Sequence, residues 1–410
     1  MDILPVLKEI SKKTPTKILL VVLDGVGGLP RDPGGATELA AARTPNLDAL
    51  AEQSALGLYT PVFPGLAPGS GPGHLAIFGY DPFKYTVGRG VLSALGLDIP
   101  LGPDDVAVRG NLATLDAEGR VVDRRAGRPS TEENRRVLEK LRARIKEIDG
   151  VKVELYTESE HRFVVVLRGP GLSDQVADTD PQTTGVPPLD PKPLTKDPAA
   201  LRTAEVLRKF VALAREVLKD EPVINGVLLR GASKRPSFPS LTEVAKVNPV
   251  AIASYPMYRG VAELVGMQPL PLAEEADPDR PRAKLEALKA AWDAHDFFYL
   301  HFKKTDSTGE DGNFAAKVER IELFDRLLPE LLALQPDVLL ITGDHSTPAT
   351  MKAHSWHPVP VLLFGPHLRN DRARRFTEDE AAAGSLGALC GNELLPLMLA
   401  HAGKLQKYGA

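Results

Sequence analysis

Short, uninterrupted apolar runs recur toward both ends of the chain and predict buried strands. The clearest runs are residues 18–23 and 338–341, and further strands are predicted at 250–253, 297–302 and 359–364. Helical patterns separate these runs in the second half of the chain. Continuous apolar strands that alternate with helices are typical of an α/β fold, in which helices flank a mostly parallel sheet.

The pattern changes in the middle of the chain. Residues 106–115 and 151–167 alternate like strands, whereas Ser130-Thr131-Glu132-Glu133 begins a charged amphipathic helix that we expect to reach Ile148. A proline-rich stretch, residues 181–198, then precedes a predicted helix at 201–218. These features predict a small α+β domain inserted into the α/β fold.

The predicted organisation therefore has two domains. The α/β domain comprises residues 1–100 and 242–410, and the inserted α+β domain comprises residues 101–241. We expect hinges where the chain crosses between them, near residues 101–103 and 234–239. A length of 410 residues, more than one core usually supports, agrees with this division.

Composition excludes several classes of function. A net charge of −4 with interspersed signs gives no electrostatic reason to expect a nucleic-acid partner. No run approaches the roughly 18 apolar residues of a membrane span, and the first residues lack a signal-peptide pattern. The one cysteine, Cys390, fits a cytoplasmic location, and we expect it to pack inside an apolar carboxyl-terminal helix.

Acidic and imidazole side chains follow two of the predicted strands. Asp24 comes directly after residues 18–23, and Asp344-His345 follow the run 338–341, with His354 nearby. Open α/β sheets place their sites at the carboxyl ends of strands, and these side chains are suitable ligands for divalent metal ions. The two ends of the chain are therefore predicted to build one metal site. Alone, Asp24 could equally cap a turn.

A serine in a glycine- and proline-rich loop is the candidate nucleophile. Ser70 lies within Pro68-Gly69-Ser70-Gly71-Pro72-Gly73-His74, before a helix expected from His74 to Phe78. A serine hydroxyl needs activation, and a neighbouring metal ion would supply it, so the combination indicates phosphoryl transfer. Ser70 alone could be a turn residue, and structural roles stay open for His74, His161 and His301.

Several longer motifs are spread along the chain. They are Leu23-Asp24-Gly25, residues 68–82, Val87-Gly88-Arg89-Gly90, Leu228-Leu229-Arg230-Gly231-Ala232, Lys304-Thr305-Asp306 and residues 342–348. In these motifs the chain resembles the archaeal-type, cofactor-independent phosphoglycerate mutases of the alkaline phosphatase superfamily over nearly its whole length. This resemblance implies a metal-dependent enzyme with a phosphatase-like catalytic domain and an inserted substrate-binding cap domain. It would interconvert 3-phosphoglycerate and 2-phosphoglycerate through a phosphoserine, without 2,3-bisphosphoglycerate.

The resemblance also implies roles for individual residues. Ser70 would be the nucleophile, and one metal ion would lie between Asp24, Ser70, Asp344 and His345. The second ion would be held by Asp306, Glu310 and His354. The family commonly has Asp-x-x-x-His, so Glu310 is a departure. The candidate ions are manganese, magnesium, zinc and cobalt, and an oxygen ligand in place of an imidazole shifts the preference from zinc towards manganese or magnesium.

Substrate recognition is expected to depend on cationic side chains of the inserted domain. A phosphorylated three-carbon acid is charged at both ends and needs arginine forks. The alternative is that these arginines are solvated. The candidates are Arg109, Arg125, Arg128, His161, Arg162 and Arg230, of which Arg230 fits the family's motif best.

Two other functions remain open at this level. One is another phosphotransfer enzyme of the same superfamily, such as a phosphopentomutase or a phosphomonoesterase, which would share the nucleophile and metal ligands. The other is a phospho-ligand binding protein whose metal centre has decayed at Glu310. Product analysis separates the first from a mutase, and a metal titration separates the second.

Overall fold

The strands form two sheets within residues 1–277, 279–369 and 371–409, which the computed structural model describes. The strands are β1 (Ile18–Leu23), β2 (Ala55–Thr60), β3 (Val106–Leu115), β4 (Val121–Asp123), β5 (Glu147–Ile148), β6 (Val151–Ser159), β7 (Arg162–Arg168), β8 (Gly226–Ser233), β9 (Pro249–Ile252), β10 (Gln268–Pro269), β11 (Phe297–Phe302), β12 (Val338–Thr342), β13 (Val359–Phe364) and β14 (Gly387–Cys390). The helices are α1 (Leu4–Ile10), α2 (Glu38–Ala41), α3 (Pro45–Ala51), α4 (Ser70–Ile77), α5 (Arg89–Gly96), α6 (Thr131–Arg144), α7 (Pro198–Val217), α8 (Leu241–Ala245), α9 (Pro256–Leu264), α10 (Pro281–Ala291), α11 (Lys304–Glu310), α12 (Phe314–Leu332), α13 (Glu378–Ala382) and α14 (Leu394–His401).

The larger sheet has β1 near its centre. Its order is β10-β9-β11-β1-β12-β13-β2-β14, and β1 pairs in parallel with both β11 and β12. Every residue of β1, β11 and β12 is buried, which explains why these strands read as continuous apolar runs. The predicted α/β class is confirmed. Strand β13 is antiparallel to its neighbours, so the sheet is mixed rather than wholly parallel.

The register of the central strands aligns their carboxyl ends. Leu23, the last residue of β1, lies opposite Phe302, the last residue of β11, and Val22 lies opposite Thr342, which ends β12. The segments that leave these three strands therefore begin at the same edge of the sheet, where open α/β sheets place their sites.

The chain forms two compact units. Unit 1 contains Met1–Thr86 together with the segment that begins at Phe238, and it carries the larger sheet. Unit 2 contains Val87–Ser237 and carries a six-stranded antiparallel sheet built around β3, β7 and β6. The functions predicted for the two domains stay predictions.

Unit 2 has its own core beneath α6 and α7. Phe163 on β7, Leu138 on α6 and Phe210 on α7 are fully buried in one apolar cluster. The Ser130 side chain accepts a hydrogen bond from the Glu133 backbone N–H and caps α6 as predicted. The helix ends at Arg144, however, because residues 147–148 form β5 and pair with β6, so the predicted extension to Ile148 is wrong.

The strand pattern predicted for residues 151–167 is confirmed, and it divides into β6 and β7, joined by a turn in which Glu160 has a φ of 49°. Two further expectations need correction. Cys390 is exposed and ends the edge strand β14, so its predicted burial in a helix is wrong. Helix α4 begins at Ser70, one turn before the predicted start at His74. Among the described helices, none combines the length and apolarity that crossing a bilayer requires.

A buried lysine joins the segments that follow β1 and β12. Lys317, on α12, is fully buried, and its Nζ donates to the carbonyl oxygens of Gly25 at 2.9 Å, Gly27 at 3.0 Å and Thr347 at 2.8 Å. An ammonium group has three N–H donors, so the three acceptors satisfy it completely. The lysine therefore fixes the spacing of two segments that carry predicted site residues.

Replacing this lysine should destabilise unit 1. The substitution Lys317→Met removes all three donors. The Thr347 carbonyl oxygen then has no partner, at roughly 1–3 kcal/mol for a buried unsatisfied group, while the carbonyl oxygens of Gly25 and Gly27 keep only the shared Thr347 N–H. We expect the free energy of unfolding in urea, measured on metal-free protein, to fall by about 2 kcal/mol or more. Lys196→Met, at an exposed position, is the control and should change it by less than about 0.5 kcal/mol. Equal stability of the two variants would contradict this role for Lys317.

Candidate metal centre

Ser70 is held at the amino terminus of α4. It is the first residue of the helix, after Gly69 in extended conformation, and only 8% of its surface is exposed. The start of the helix packs tightly on the chain after β12, since a Cβ at Gly73 would lie 2.4 Å from the carbonyl oxygen of Asp344. This close approach requires glycine and brings Ser70 next to the predicted metal ligands.

The first group of ligands surrounds Nε2 of His345. This nitrogen lies 3.3 Å from Asp24 Oδ1, 3.2 Å from Asp344 Oδ2 and 3.3 Å from Ser70 Oγ. Asp24, Asp344 and His345 are fully buried, and their ligand atoms lie within 4.8 Å of one another. The structure thus brings together side chains from three separate parts of the sequence.

The second group shares His345 with the first. Asp306, His345 and His354 also place ligand atoms within 4.8 Å of one another, and the two imidazole rings stack with centroids 3.6 Å apart. His354 Nε2 lies 3.5 Å from Asp306 Oδ1 and 3.7 Å from Glu310 Oε1. Glu310 is outside the close group, and its side chain is 53% exposed. It therefore lies at the rim of the site.

Hydrogen bonds on the far side of each ring fix which nitrogen carries the proton. His354 Nδ1 lies 2.8 Å from the carbonyl oxygen of Pro68, so Nδ1 donates and Nε2 keeps a free lone pair. His345 Nδ1 lies 2.9 Å from Thr347 Oγ1, which itself bonds Asp306 Oδ1 at 2.6 Å. Both Nε2 lone pairs thus face carboxylate oxygens.

These donors fit divalent metal ions. An Nε2 atom without a proton cannot donate a hydrogen bond to the carboxylate oxygens that it faces. Asp24 Oδ1 and Asp344 Oδ2 accordingly have no hydrogen-bond partner although they are buried. Buried polar atoms are normally hydrogen-bonded, so orphaned oxygens beside an imidazole lone pair are best explained as cation ligands. The mixture of carboxylates and few imidazoles suits manganese or magnesium as well as zinc.

The pKa values of the buried carboxyl groups in this pocket are shifted in opposite directions. Burial alone would raise the pKa of Asp24, but Lys303, His301 and His345 outweigh it and hold the pKa well below its usual value. Burial and the neighbouring charge of Asp24 instead raise the pKa of Asp344 well above its usual value. The pKa of Glu310 is also raised, by burial and by Asp306. Carboxylates that repel one another in this way need further cations.

Sequence reasoning missed Lys303 as a site residue. Its ammonium group lies 3.3 Å from Asp24 Oδ2 and contacts Asp306. Burial opposes its charge, but Asp24, Tyr258 and Asp306 together raise the pKa of Lys303 well above its usual value. The sequence pattern could have identified Lys303, because it directly follows the apolar strand β11 just as Asp24 follows β1.

Two aromatic residues complete the wall of the pocket. His301 Nε2 bonds Asp24 Oδ2 at 3.2 Å, and its ring stacks on Tyr258 with centroids 3.8 Å apart. The Tyr258 hydroxyl lies 3.5 Å from Ser70 Oγ, a contact that no sequence pattern predicted. Burial lowers the pKa of both His301 and His74 to about 4, so both are neutral near pH 7. His74 Nδ1 bonds the Ser70 carbonyl oxygen at 2.8 Å.

Unit 2 carries a separate group of cationic side chains. Arg109 on β3 lies opposite Arg230 on β8 in the sheet register. Burial lowers the pKa of His161 to about 4, and the cations that lower it further are Arg162, Arg125, Arg109 and Arg128. All six predicted substrate-binding residues therefore belong to one electropositive region of this unit.

The cations of this region are incompletely paired. Arg230 lies 3.9 Å from Asp178 and 3.6 Å from Asp180, longer than direct hydrogen bonds, and its buried Nε has no partner. Nε of Arg162 and Nδ1 of His161 are also buried without partners. Arg89, at the start of α5, belongs here too, since burial and Arg230 lower its pKa. The predicted substrate-binding set omitted Arg89, although its motif was recognised.

Comparison with known proteins places the chain in a family. A family model described as 2,3-bisphosphoglycerate-independent phosphoglycerate mutase matches residues 51–224. Proteins named probable 2,3-bisphosphoglycerate-independent phosphoglycerate mutase are similar along the full length of both chains, with 68% identity in Thermus thermophilus and 57% in Deinococcus radiodurans.

Solved structures agree with these sequence matches. The cofactor-independent phosphoglycerate mutase of Thermoplasma acidophilum is 30% identical with a TM-score of 0.69, and the match covers 95% of this chain and 100% of that chain. A Pyrococcus horikoshii protein is 32% identical with a TM-score of 0.82, over 97% of this chain and 100% of that one. The family indicated by the motifs is confirmed: the chain belongs to the 2,3-bisphosphoglycerate-independent phosphoglycerate mutases.

Proposed function

We propose that this chain interconverts 3-phosphoglycerate and 2-phosphoglycerate through a phosphoserine formed on Ser70. The observation that carries the proposal is the position of Ser70 Oγ, 3.3 Å from His345 Nε2 and beside the orphaned oxygens of Asp24 and Asp344. Members of this family are isomerases that depend on metal ions and need no 2,3-bisphosphoglycerate. A cytoplasmic location and the absence of nucleic-acid or membrane partners stay predictions.

We assign the metal ligands from the two groups of donors. Asp24, Ser70, Asp344 and His345 would hold one ion, and Asp306, Glu310 and His354 would hold the other, with His345 close to both. When bound, such ions act as Lewis acids that favour the serine alkoxide and neutralise phosphate charge. The chain contributes the fixed donor geometry and the exclusion of water around them.

The first transfer breaks one phosphate ester and forms another. Ser70 Oγ attacks phosphorus, the bond from phosphorus to glycerate O3 breaks, and the Ser70 proton passes to that oxygen. The second transfer reverses this sequence at O2, so that Ser70 regains its proton and 2-phosphoglycerate leaves. The Lys303 ammonium, 3.3 Å from Asp24 Oδ2, and the first backbone N–H groups of α4, which begins at Ser70, would stabilise the negative charge of the transferred phosphoryl group.

The arginines of unit 2 would bind the substrate's anionic groups. Arg162 and Arg230 have buried donors without partners, and carboxylate or phosphate oxygens would satisfy them. Binding the free glycerate between the two transfers would keep water from taking the phosphoryl group. This retention distinguishes a mutase from a phosphatase.

Replacement of the nucleophile tests the covalent step. With manganese and 3-phosphoglycerate, quenched enzyme should carry phosphate on Ser70 by mass spectrometry, and Ser70→Ala should lose several powers of ten in kcat, about 4–8 kcal/mol in barrier. Ser93→Ala, a buried serine of α5, is the control and should keep the phosphorylation. Phosphate on another residue would contradict the assignment, and release of free phosphate instead of 2-phosphoglycerate would indicate a hydrolase.

Removal of a cation from the unit 2 cluster tests substrate binding. Arg109→Gln should raise KM for 3-phosphoglycerate by roughly 10-fold to 100-fold, because one charge-assisted hydrogen bond contributes about 1.5–3 kcal/mol. Arg208→Gln removes an exposed arginine that pairs with Asp190 and should leave KM unchanged. Equal KM values for Arg109→Gln and the parent enzyme would exclude Arg109 from the binding site.

Exchange of the rim ligand tests the proposed metal preference. We propose manganese or magnesium as the working ions, because Glu310 supplies oxygen where the family commonly has histidine. Glu310→His should raise zinc affinity relative to manganese, measured by competition in equilibrium dialysis. Glu319→His, on the exposed face of α12, is the control and should leave the ratio unchanged. An unchanged ratio in Glu310→His would show that Glu310 does not bind metal.

A further inference from the structure

The side chain of Thr347 bridges the two groups of ligands. It is fully buried, and its Oγ1 lies 2.6 Å from Asp306 Oδ1 and 2.9 Å from His345 Nδ1. Asp306 belongs to one ligand group, whereas His345 belongs to both. The Thr347 hydroxyl therefore forms hydrogen bonds with two of the assigned metal ligands.

The direction of both hydrogen bonds follows from the chemistry of the three groups. A carboxylate only accepts, so the Thr347 hydroxyl donates its one proton to Asp306. With that proton used, Oγ1 can only accept from His345, and His345 must carry its proton on Nδ1. The free lone pair of the ring is then on Nε2, the atom that faces Asp24 and Asp344.

The backbone holds this threonine firmly. Its N–H lies 3.0 Å from the Gly27 carbonyl oxygen, and its own carbonyl oxygen accepts from Lys317 at 2.8 Å. Gly25 has a φ of +62°, and a Cβ there would lie 2.4 Å from Thr347 Oγ1. Segments from both sides of the site thus fix the place of the hydroxyl.

We propose that Thr347 is a positioning residue that selects the metal-binding tautomer of His345 and orients Asp306. The inference rests on the proposed metal site and extends it beyond the ligands themselves. The Thr347 hydroxyl accepts a hydrogen bond from the imidazole and donates one to the carboxylate. One side chain therefore fixes the orientation of two ligands. Outer partners of metal ligands typically contribute 10-fold to 100-fold in metal affinity.

The test compares isosteric variants. Thr347→Val keeps the shape and removes the hydroxyl, Thr347→Ser keeps the hydroxyl, and Thr203→Val removes a buried hydroxyl from α7 in unit 2 as the control. Manganese binding to each metal-free protein is followed by electron paramagnetic resonance of the free ion. We expect Thr347→Val to bind manganese 10-fold to 100-fold more weakly, and the other two to bind within about 3-fold of the parent.

A second readout needs no metal. In ¹⁵N-edited spectra of metal-free enzyme, His345 of the parent and of Thr347→Ser should carry its proton on Nδ1, and Thr347→Val should populate the Nε2–H form. If Thr347→Val does not fold, Thr347→Ala takes its place with the same expected results. Unchanged manganese affinity and an unchanged tautomer would overturn the role of Thr347.

The outcomes separate the two proposals. A parent enzyme that binds no manganese would overturn the proposed metal site itself. A parent that binds manganese while the hydroxyl-free variants bind equally well would overturn only the inference on Thr347. Weaker binding in Thr203→Val as well would also overturn it, because the effect would then follow from any lost buried hydroxyl.

Discussion

The parallel pairing of β1 with β11 on one side and β12 on the other is the constraint on which the metal centre depends. All three strands are fully buried, so a shift of register by one residue would exchange the side chains of both faces and disrupt the packing. With the register fixed, Asp24, Lys303 and Asp344 lie just beyond the carboxyl ends of three adjacent strands. Residues almost 320 positions apart thereby come within hydrogen-bond distance, as the 3.2 Å contact between the Gly25 N–H and Asp344 Oδ1 shows.

The two units have opposite electrostatic character. Unit 1 buries Asp24, Asp306 and Asp344 completely. The Lys303 ammonium forms ion pairs with Asp24 and Asp306. In unit 2, Arg162 and Arg230 have buried donors without partners, and burial together with Arg162 and neighbouring arginines lowers the pKa of His161. Buried charges of one sign are costly unless counter-ions or ligands neutralise them. Metal cations would neutralise the acidic pocket, and the anionic groups of the proposed phosphorylated substrate would neutralise the basic region.

The sequence predicted the ligands better than their surroundings. Asp24, Asp344 and His345 were found because strand ends are visible as the limits of apolar runs, and the structure places them together. Tyr258 reaches Ser70, and Thr347 reaches Asp306, only through tertiary packing, which no local pattern encodes. Cys390 was misplaced since its apolar neighbours fit a helix equally well, whereas pairing with β2 makes the segment an edge strand.

The three hydrogen bonds of Lys317 have a consequence for how the enzyme acquires its ions. Because the ammonium group joins the segments after β1 and β12 entirely through protein atoms, their spacing does not depend on an occupied centre. Small zinc domains, by contrast, fold only when metal arrives and unfold when it leaves. Here the chain itself sets the spacing of the two segments, so we expect ions to bind to ligands that are already close together.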